Sequence, residues 1–454
     1  MSPADKPRRA AYDVLHLVGA TDAYANLALA STISEYEFEQ RDAAFVTELV
    51  NGTLRRRGTL DAILGVSVDR PLAKLDPRVL DVTRLGAYQL LFMDVDAYAA
   101  VDTSVNLVAD IAGRAPTGLV NAVLRKVSKR SLPEWEIELE FDPASDALTD
   151  EQLSLAYSHP RWIISAFRDA LGSEAAAELP ALLATNNEVP DVSLVARPGR
   201  CSVEELLAAG ASPGRLSPYA VKAPAGRVNQ ISAIREGRAG VQDEGSQLVA
   251  IAAANAPVEG SDSRWVDLCA GPGGKAAVLE AIASNRDAFV VALDIHQHRA
   301  DLIARTIPRA GSAAAAVGDG RNAPILPGVD RVLLDVPCTG IGVLRRRSEL
   351  RWRRQPTDVA ELAALQKALL QSAIDMVRPG GVVAYSTCSP HIAETDLVVS
   401  DVLRRNDDVT LEDARPLFPD VQQLGAGPTV RLWPHRHQTD AMFFALMRRE
   451  PHSL

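Results

Sequence analysis

The sequence predicts a multidomain fold: an all-α bundle, then a small α+β connecting domain, then a C-terminal α/β domain of the Rossmann-like type. Three observations support this fold class. Apolar residues recur at helical spacing up to about residue 130, strand–turn–helix patterns repeat from about residue 240, and Pro and Gly interrupt much of the segment between them. The expected domains span residues 1–132, 133–238 and 239–454.

Length and composition exclude several classes of protein. A chain of 454 residues suits two or three domains, and 47% apolar with 23% charged residues is typical of a globular protein. The net charge of −10 excludes a uniformly basic nucleic-acid binder, although local basic patches remain possible. Four scattered cysteines, the lack of a signal-peptide pattern and the lack of a long apolar run predict a cytoplasmic protein without a metal site or a membrane contact.

The elements before residue 240 are predicted from apolar spacing. Helical spacing is clear around Tyr12–Val18 and Leu80–Leu91, and a further helix is expected from Leu153 to Leu171. Residues 131–150 are acidic and alternate with the apolar residues Trp135, Ile137, Leu139 and Phe141, which predicts either a short half-buried strand or a strap across the bundle. A strand is also expected at Val192–Val195.

The C-terminal third alternates strands and helices, which is typical of a doubly wound parallel sheet. The expected helices are Lys275–Ile282 and Asp358–Val377, the second beginning with a capping box of Asp358 and Glu361. The expected strands are Arg264–Ala270, Phe289–Ile295, Ala313–Val317, Val332–Val336, Val382–Thr387 and Ala441–Leu446. In such sheets the ligand crevice lies at the carboxyl ends of the strands, and polar residues follow five of these strands.

A glycine-rich turn follows the first of these strands and predicts a cofactor site. Its candidate binding residues are Cys269, Ala270, Gly271, Pro272, Gly273, Gly274 and Lys275. A Walker P-loop is excluded because Cys269 and Ala276 occupy positions that need Gly and Ser or Thr. Asp294 suits the ribose diol of a dinucleotide or of S-adenosylmethionine, and Asp319 suits an adenine amino group or a plain turn.

Two cysteines follow strands that are expected to be neighbours in the sheet. Cys338 lies three residues after Asp335, and Cys388 ends the next strand along the chain. Because neighbouring strands lie about 4.8 Å apart, both thiols would face one crevice. A nucleophilic thiol, an acid and a methyl donor together suit methylation of a pyrimidine at carbon-5, in which a thiolate adds to carbon-6 and makes carbon-5 nucleophilic.

A basic tract follows Cys338 in an otherwise acidic protein. Together with Trp352 as a stacking ring, it predicts contact with an RNA backbone and an unstacked base. Its six arginines are Arg345, Arg346, Arg347, Arg351, Arg353 and Arg354.

Several of these motifs resemble a known family. The catalytic part resembles the NOL1/NOP2/Sun family of RNA 5-methylcytosine methyltransferases, and the N-terminal part resembles a NusB-type RNA-binding bundle, as in the bacterial Sun (Fmu) branch. The catalytic motifs are Val241–Gln247, Asp267–Lys275, Asp335–Cys338 and Tyr385–Pro390, and the N-terminal motifs are Arg41–Phe45, Leu85–Leu91 and Val120–Arg125. The segment Thr339–Gly342 departs from the family pattern.

The resemblance implies an activity and a role for each matching residue. It implies methyl transfer from S-adenosylmethionine to a cytosine of 16S rRNA, with no obligate protein partner. Cys388 would be the nucleophile, Cys338 would help to resolve the covalent adduct, and Asp335 would contact the base and the cofactor. The glycine-rich turn, Asp294 and Asp319 would bind S-adenosylmethionine.

Several other functions are compatible with the sequence. The same chemistry on tRNA fits the motifs, and so does a non-catalytic NusB-like RNA-binding factor, which would leave both thiols idle. A DNA cytosine methyltransferase would use Cys338 as nucleophile, but its Glu-Asn-Val motif is missing. A nicotinamide oxidoreductase leaves the arginines unexplained, and a cysteine protease would need His391 or His435 beside a thiol.

Overall fold

The computed structural model describes residues 5–21, 23–142, 145, 148–224, 226, 228–308 and 311–451, which form two compact units. The first unit comprises Met1–Glu188 and Leu344–Arg353, and the second comprises Val189–Val343 and Arg354–Leu454. The units thus divide after residue 188, whereas the expected boundaries follow residues 132 and 238. The three-domain division stays a prediction.

The first unit is helical, as the sequence predicts. Asp5, Asp76 and Asp96 accept hydrogen bonds from backbone N–H groups in the first turns of three helices, which fixes where those helices begin. Its helices are α1 (Lys6–Ala20), α2 (Ala25–Glu35), α3 (Gln40–Gly65), α4 (Pro77–Phe92), α5 (Ala97–Ala112), α6 (Thr117–Val127), α7 (Leu132–Glu138), α8 (Asp150–Tyr157), α9 (Arg161–Leu171) and α10 (Ala175–Thr185).

The strand expected within residues 131–150 is wrong, because helix α7 lies there. Ser131 and Glu134 form a capping box that starts the helix, and Pro133 suits its first turn. Trp135 is buried and its indole N–H donates to the Val127 carbonyl at 3.1 Å, whereas Ile137 is 76% exposed. The apolar alternation therefore does not mark a buried face. Residues 143, 144, 146 and 147 of this segment lie outside the described residues.

The single helix expected from Leu153 to Leu171 is two helices, α8 and α9. Ser158 ends α8 in the left-handed region, with φ of 56°, and Pro160 precedes α9. Ser158 and His159 are buried between the two helices. The apolar spacing correctly predicts helix on both sides of this break, but it does not reveal the break itself.

The second unit begins with a small antiparallel sheet in the order β2-β3-β1-β4. The strand expected at Val192–Val195 is present one residue later. The elements here are β1 (Ser193–Ala196), α11 (Val203–Ala208), β2 (Ser212–Pro213), β3 (Ala220–Lys222), α12 (Ser232–Arg235) and β4 (Ala239–Val241).

The rest of the second unit is a Rossmann-like α/β fold. Its helices are α13 (Glu244–Asn255), α14 (Gly274–Ala283), α15 (Gln297–Thr306), α17 (Pro356–Met376), α18 (Asp396–Leu403) and α19 (Pro434–His437). Its strands are β5 (Arg264–Asp267), β6 (Phe289–Asp294), β7 (Ala313–Val317), β8 (Val329–Asp335), β9 (Val377–Thr387), β10 (Val409–Glu412), β11 (Val430–Leu432) and β12 (Met442–Arg449). The six strands expected from the sequence all exist, with ends that shift by up to five residues.

The large sheet is mixed and not purely parallel. Its order is β10-β12-β9-β8-β5-β6-β7, with β11 paired to β12. Strands β5 to β9 are parallel, whereas β12 runs antiparallel to β9, β10 and β11. The parallel register pairs Asp335 with Ser386, so the carboxyl ends of β8 and β9 lie side by side. The capping box of α17 also differs from expectation, because it joins Gln355 to Asp358.

A ten-residue excursion interrupts the second unit. The chain leaves this unit after Val343, contributes Leu344–Arg353 to the first unit, and re-enters the second unit at Arg354. The excursion contains a short helix, α16 (Leu350–Arg353).

No helix in the described ranges is both long and apolar enough to cross a membrane.

Candidate active site

The glycine-rich turn brings its backbone close to an acidic side chain. The Gly271 N–H donates to Asp294 Oδ2 at 3.2 Å, and a Cβ added at Gly271 would lie 2.3 Å from that oxygen. Gly273 has φ of +111°, a conformation that favours glycine, and α14 begins at the next residue. The turn therefore needs glycine at both positions.

The acidic residues predicted to bind the cofactor follow adjacent strands. Asp294 ends β6, is 5% exposed, and accepts a hydrogen bond from the His296 N–H at 2.9 Å. Asp319 follows β7 and forms an ion pair with Arg321, whose hydrogen bonds hold the pKa of Asp319 below its ordinary value. Because β5, β6 and β7 are neighbours, the turn, Asp294 and Asp319 share one edge of the sheet.

Asp267, at the end of β5, is a functional candidate that the sequence reasoning missed. It is fully buried, and neither carboxylate oxygen reaches hydrogen-bond geometry with any described residue. Burial raises the pKa of Asp267 to about 8, the nearby charge of Asp335 adds to the rise, and Lys275 and the Cys269 backbone oppose it. Unpartnered buried carboxylates are rare, so a ligand that donates hydrogen bonds fits here.

Asp335 connects the cofactor turn to the thiol side of the site. Its Oδ2 accepts from Lys275 Nζ at 2.8 Å, and its Oδ1 accepts from Ser386 Oγ at 2.7 Å. Burial alone would lower the pKa of Lys275, but the ion pair with Asp335 and the nearness of Cys388 outweigh it, so this pKa is raised. Lys275 is therefore a cation, and it lies close to Cys388.

The two predicted active-site thiols lie together. The Sγ atoms of Cys338 and Cys388 are 3.3 Å apart, and both side chains are half-buried. The hydrogen bond with Cys388, burial and the charge of Glu394 raise the pKa of Cys338 well above its ordinary value. Cys269 is separate from this pair, and burial together with Asp267 raises the pKa of its thiol. Within the described residues no group of His, Cys, Asp and Glu is arranged to hold a metal ion.

The arginine tract is not an exposed basic surface. Arg351 is completely buried in the first unit, where burial lowers its pKa well below the ordinary value. Its guanidinium donates four hydrogen bonds, to Arg55 O, Ser158 O, Asn186 O and Asn187 Oδ1, at 2.7–3.1 Å. Because Arg351 is fully buried and donates to these four acceptors, this structure does not present it to an RNA phosphate, and its contact with RNA stays a prediction.

The neighbours of Arg351 are held in similar ways. The Trp352 indole N–H donates to Leu54 O at 3.1 Å, and Arg353 donates to Ala23 O at 2.7 Å. Arg347 lies over the ring of Tyr24, with 4.5 Å between the guanidinium carbon and the ring centre. Arg345 is buried, and Arg346 is partly exposed. Contacts of these five residues with RNA stay predictions.

Arg354 belongs to the second unit and lies beside the thiols. Its guanidinium donates to the carbonyls of Thr339 and Cys338, at 3.2 and 3.4 Å. Arg354, which the sequence places in the basic tract, therefore also holds the backbone at Cys338 and Thr339 in place.

A cavity of about 700 Å³ lies in the first unit. Apolar side chains of α1, α3 and α4 line it together with Arg57, Asp81 and Trp352.

The fold and the site define a class of protein. A mixed sheet with a glycine turn after β5 and acidic residues after β6 and β7 suits an adenosyl cofactor. The unpartnered carboxylate of Asp267 and the close approach of Gly271 to Asp294 fit that group. The second unit is that of an S-adenosylmethionine-dependent methyltransferase.

Comparison with known proteins gives the family. Residues 253–448 match the model described as 16S rRNA methyltransferase RsmB/F, and residues 5–129 match the NusB family. The chain belongs to the RsmB/F methyltransferase family and carries an N-terminal NusB domain. These matches confirm the resemblance to Sun-type enzymes.

Relatives match along nearly the whole chain. A putative methyltransferase of Mycobacterium tuberculosis is 50% identical, with 98% of this chain and 97% of the relative covered. A probable ribosomal RNA small subunit methyltransferase B of Bacillus subtilis is 30% identical, with 98% of each covered. Among solved structures, PH0851 has a TM-score of 0.79 at 24% identity with 99% of both chains covered, which supports the fold. NSun6 from Pyrococcus horikoshii with SFG has a TM-score of 0.54 at 20% identity, with 64% of this chain and 98% of that chain covered.

Proposed function

We propose that this protein methylates carbon-5 of a cytosine in 16S rRNA through a covalent adduct with Cys388. The observation that carries the proposal is the pair of thiols, 3.3 Å apart, beside the ion pair of Lys275 and Asp335. Methyl transfer to a more nucleophilic atom would need neither thiol. The names of the relatives and of the matching family model support rRNA as the substrate.

The surroundings of the two thiols support different roles for them. The Lys275 cation lies near Cys388, where it can stabilise negative charge on the sulfur as it attacks and as it leaves. Cys338 keeps its proton, because the hydrogen bond with Cys388, burial and the charge of Glu394 all raise its pKa. We therefore assign the nucleophile to Cys388, as the family resemblance implies, and not to Cys338 as in the DNA enzymes.

The covalent step begins when the Cys388 thiolate adds to carbon-6 of the cytosine. The π electron pair of the carbon-5–carbon-6 bond moves onto carbon-5 and, by conjugation, N3, which makes carbon-5 nucleophilic, and Asp335 contacts the base. S-adenosylmethionine supplies the methyl group as an electrophile when it is bound. Afterwards carbon-5 loses its proton, the double bond re-forms, and the carbon–sulfur bond breaks to release Cys388 as a thiolate.

Cys338 is suited to accept the carbon-5 proton once the adduct exists. In the free protein the hydrogen bond with Cys388 is the first of the causes that raise the pKa of Cys338. Formation of the carbon–sulfur bond removes the Cys388 thiol as a partner, so this contribution to the raised pKa of Cys338 is lost at the stage when a base is needed. Cys338 therefore assists resolution of the adduct.

The remaining predicted site residues would hold the cofactor. The turn from Cys269 to Lys275 gives backbone contacts, Asp294 suits the ribose hydroxyls, and Asp319 suits the adenine. Asp267 adds a buried carboxylate beside this turn that can accept from a cationic amino group.

Denaturing gels test the roles of the two thiols. Wild type, Cys388→Ala and Cys338→Ala would be incubated with unmodified 16S rRNA and methyl-labelled S-adenosylmethionine. We expect labelled RNA with wild type, an RNA–protein band that resists denaturation with Cys338→Ala, and neither product with Cys388→Ala. Cys201→Ala is the matched control, because the Cys201 thiol lies outside the site and donates to the Ser202 carbonyl.

The other outcomes lead to different conclusions. A trapped band with Cys388→Ala would make Cys338 the nucleophile. Label in tRNA but not in 16S rRNA, tested in parallel, would change the substrate and keep the chemistry. No label and no band with either RNA would contradict the proposed function.

A further inference from the structure

Glu394 is a buried carboxylate that none of the predicted roles uses. It ends the short turn Ile392–Glu394 after β9 and is completely buried. The sequence gives it no motif of its own, and it contacts neither the glycine turn nor Asp335 by a hydrogen bond among the described residues. A buried charge without hydrogen-bond partners would be costly, so Glu394 requires donors around it.

The partners of Glu394 come from both thiol loops. Oε1 accepts from the Thr339 backbone N–H at 2.8 Å, and Oε2 accepts from the Thr339 hydroxyl at 2.5 Å. Oε2 also accepts from the Ser389 hydroxyl at 2.6 Å. Thr339 directly follows Cys338, and Ser389 directly follows Cys388. One carboxylate is therefore bonded to the residue after each thiol.

Further contacts fix Glu394 itself and extend the connection. Gln366 of α17 donates from Nε2 to Glu394 Oε1 at 3.1 Å and to the Pro337 carbonyl at 2.9 Å, just before Cys338. The Tyr385 hydroxyl donates to the Glu394 carbonyl at 2.7 Å, which anchors the turn to β9. Thr339, Gln366, Ser389 and Glu394 are all at 0% exposure. Water does not compete for these bonds.

We propose that Glu394 is a positioning residue that holds Cys338 and Cys388 in register, so that one thiol can resolve the adduct formed by the other. This inference rests on the proposed function for its catalytic consequence. The juxtaposition of the thiols is itself independent of methyl transfer. Four hydrogen bonds to a charged acceptor, in a dry environment, are strong enough to fix the loops. A shift of about 1 Å at a reacting group can cost about 100-fold in rate.

The first measurement uses the resting protein and requires no RNA. Diamide oxidises two adjacent thiols to a disulfide and is itself reduced to the hydrazine, so its rate reports how the Sγ atoms are held. With the Cys338–Cys388 disulfide quantified by mass spectrometry, we expect Glu394→Gln to slow its formation by about 10-fold or more. Affinity for S-adenosylhomocysteine, measured by calorimetry, should stay within about twofold, because none of the hydrogen-bond partners of Glu394 lies in the glycine turn.

Two milder variants, at Thr339, test the same hydrogen bonds in case Glu394→Gln does not fold. Thr339→Val is nearly isosteric and removes one hydroxyl donor while it keeps the backbone N–H; Thr339→Ser keeps both donors. We expect slow disulfide formation with Thr339→Val and a nearly wild-type rate with Thr339→Ser. Equal rates in Thr339→Val, Glu394→Gln and wild type would overturn the proposal. A loss of cofactor affinity parallel to the slower oxidation would also overturn it, since that indicates general unfolding.

The second measurement follows the adduct. With 16S rRNA and S-adenosylmethionine, Glu394→Gln should lower kcat by about 100-fold with little change in the KM for RNA, and adduct should accumulate on denaturing gels. A rise in KM with unchanged kcat would contradict positioning. If wild type forms no adduct and methylates no RNA, the proposed function fails, while the oxidation rates still decide whether Glu394 holds the thiols.

Discussion

At the scale of single residues, the space between Gly271 and Asp294 leaves no room for a side chain. We expect Gly271→Ala to weaken binding of S-adenosylhomocysteine by about 10-fold or more, because a Cβ placed 2.3 Å from Asp294 Oδ2 must displace that carboxylate or the turn. Isothermal titration calorimetry of the purified variant measures this change.

Gly274→Ala is the control for that experiment. A Cβ at Gly274 meets only the side chain of Gln242, at an ordinary contact distance of 3.8 Å. Because alanine keeps the backbone groups that the turn offers to the cofactor and its Cβ meets no close neighbour, the affinity of this variant should stay close to that of wild type. Equal losses in both variants would mean that the whole turn, and not the approach to Asp294, limits binding.

The residues of the site differ in how far the sequence reveals them. Cys338, Cys388 and Asp335 follow strands and stand in recognisable motifs, so their proximity could be predicted. Glu394 could not be predicted, because its role depends on hydrogen bonds to residues 55 and 5 positions away in the chain. The unpartnered state of a buried carboxylate such as Asp267 is likewise visible only in three dimensions.

At the scale of elements, the excursion Leu344–Arg353 acts as part of the helical unit. We expect Arg351→Met to lower the free energy of unfolding by about 3 kcal/mol, because four acceptors inside the unit would lose their donors. Urea denaturation followed by circular dichroism measures this loss.

Arg415→Met is the matched control for Arg351. Arg415 is exposed and paired with Asp413 on the surface of the second unit, so its loss should leave stability nearly unchanged. If Arg351→Met were as stable as wild type and instead lost affinity for RNA, Arg351 would be an RNA contact after all.

Elements were predictable where one pattern dominates. Six of the eight strands of the large sheet are apolar runs between turn residues that the sequence revealed, whereas the short strands β10 and β11 were not predicted. Helix α7 was missed because apolar alternation over seven residues also fits a helix with one buried Trp and one exposed Ile. Charge density in the arginine tract could not distinguish a surface from an interior, since a buried guanidinium needs partners that are distant in sequence.

At the scale of the whole molecule, the first unit is discontinuous in sequence. A fragment of residues 1–188 lacks the segment that supplies Arg351 and Trp352 to it. We expect a synthetic peptide of residues 344–353 to bind this fragment and raise its Tm by mass action. Differential scanning fluorimetry with increasing peptide measures the shift.

A peptide with Ala at positions 351 and 352 serves as the control for this experiment. It lacks the guanidinium and the indole that donate to the fragment, so it should leave the Tm unchanged. Equal shifts with both peptides would show that these two side chains do not drive the association. Sequence patterns do not predict this arrangement, because nothing in residues 344–353 marks them as part of an earlier unit.

The discontinuity also sets an order of events during synthesis on the ribosome. Leu344 is made 156 residues after Glu188 (344 − 188), so the N-terminal helices emerge long before their last segment does. At bacterial or eukaryotic elongation rates this interval is roughly 8–30 s. For that time the nascent chain carries an N-terminal unit with open sites for a guanidinium and an indole. This unit is completed only after Cys338, the first of the two proposed active-site thiols, has been translated.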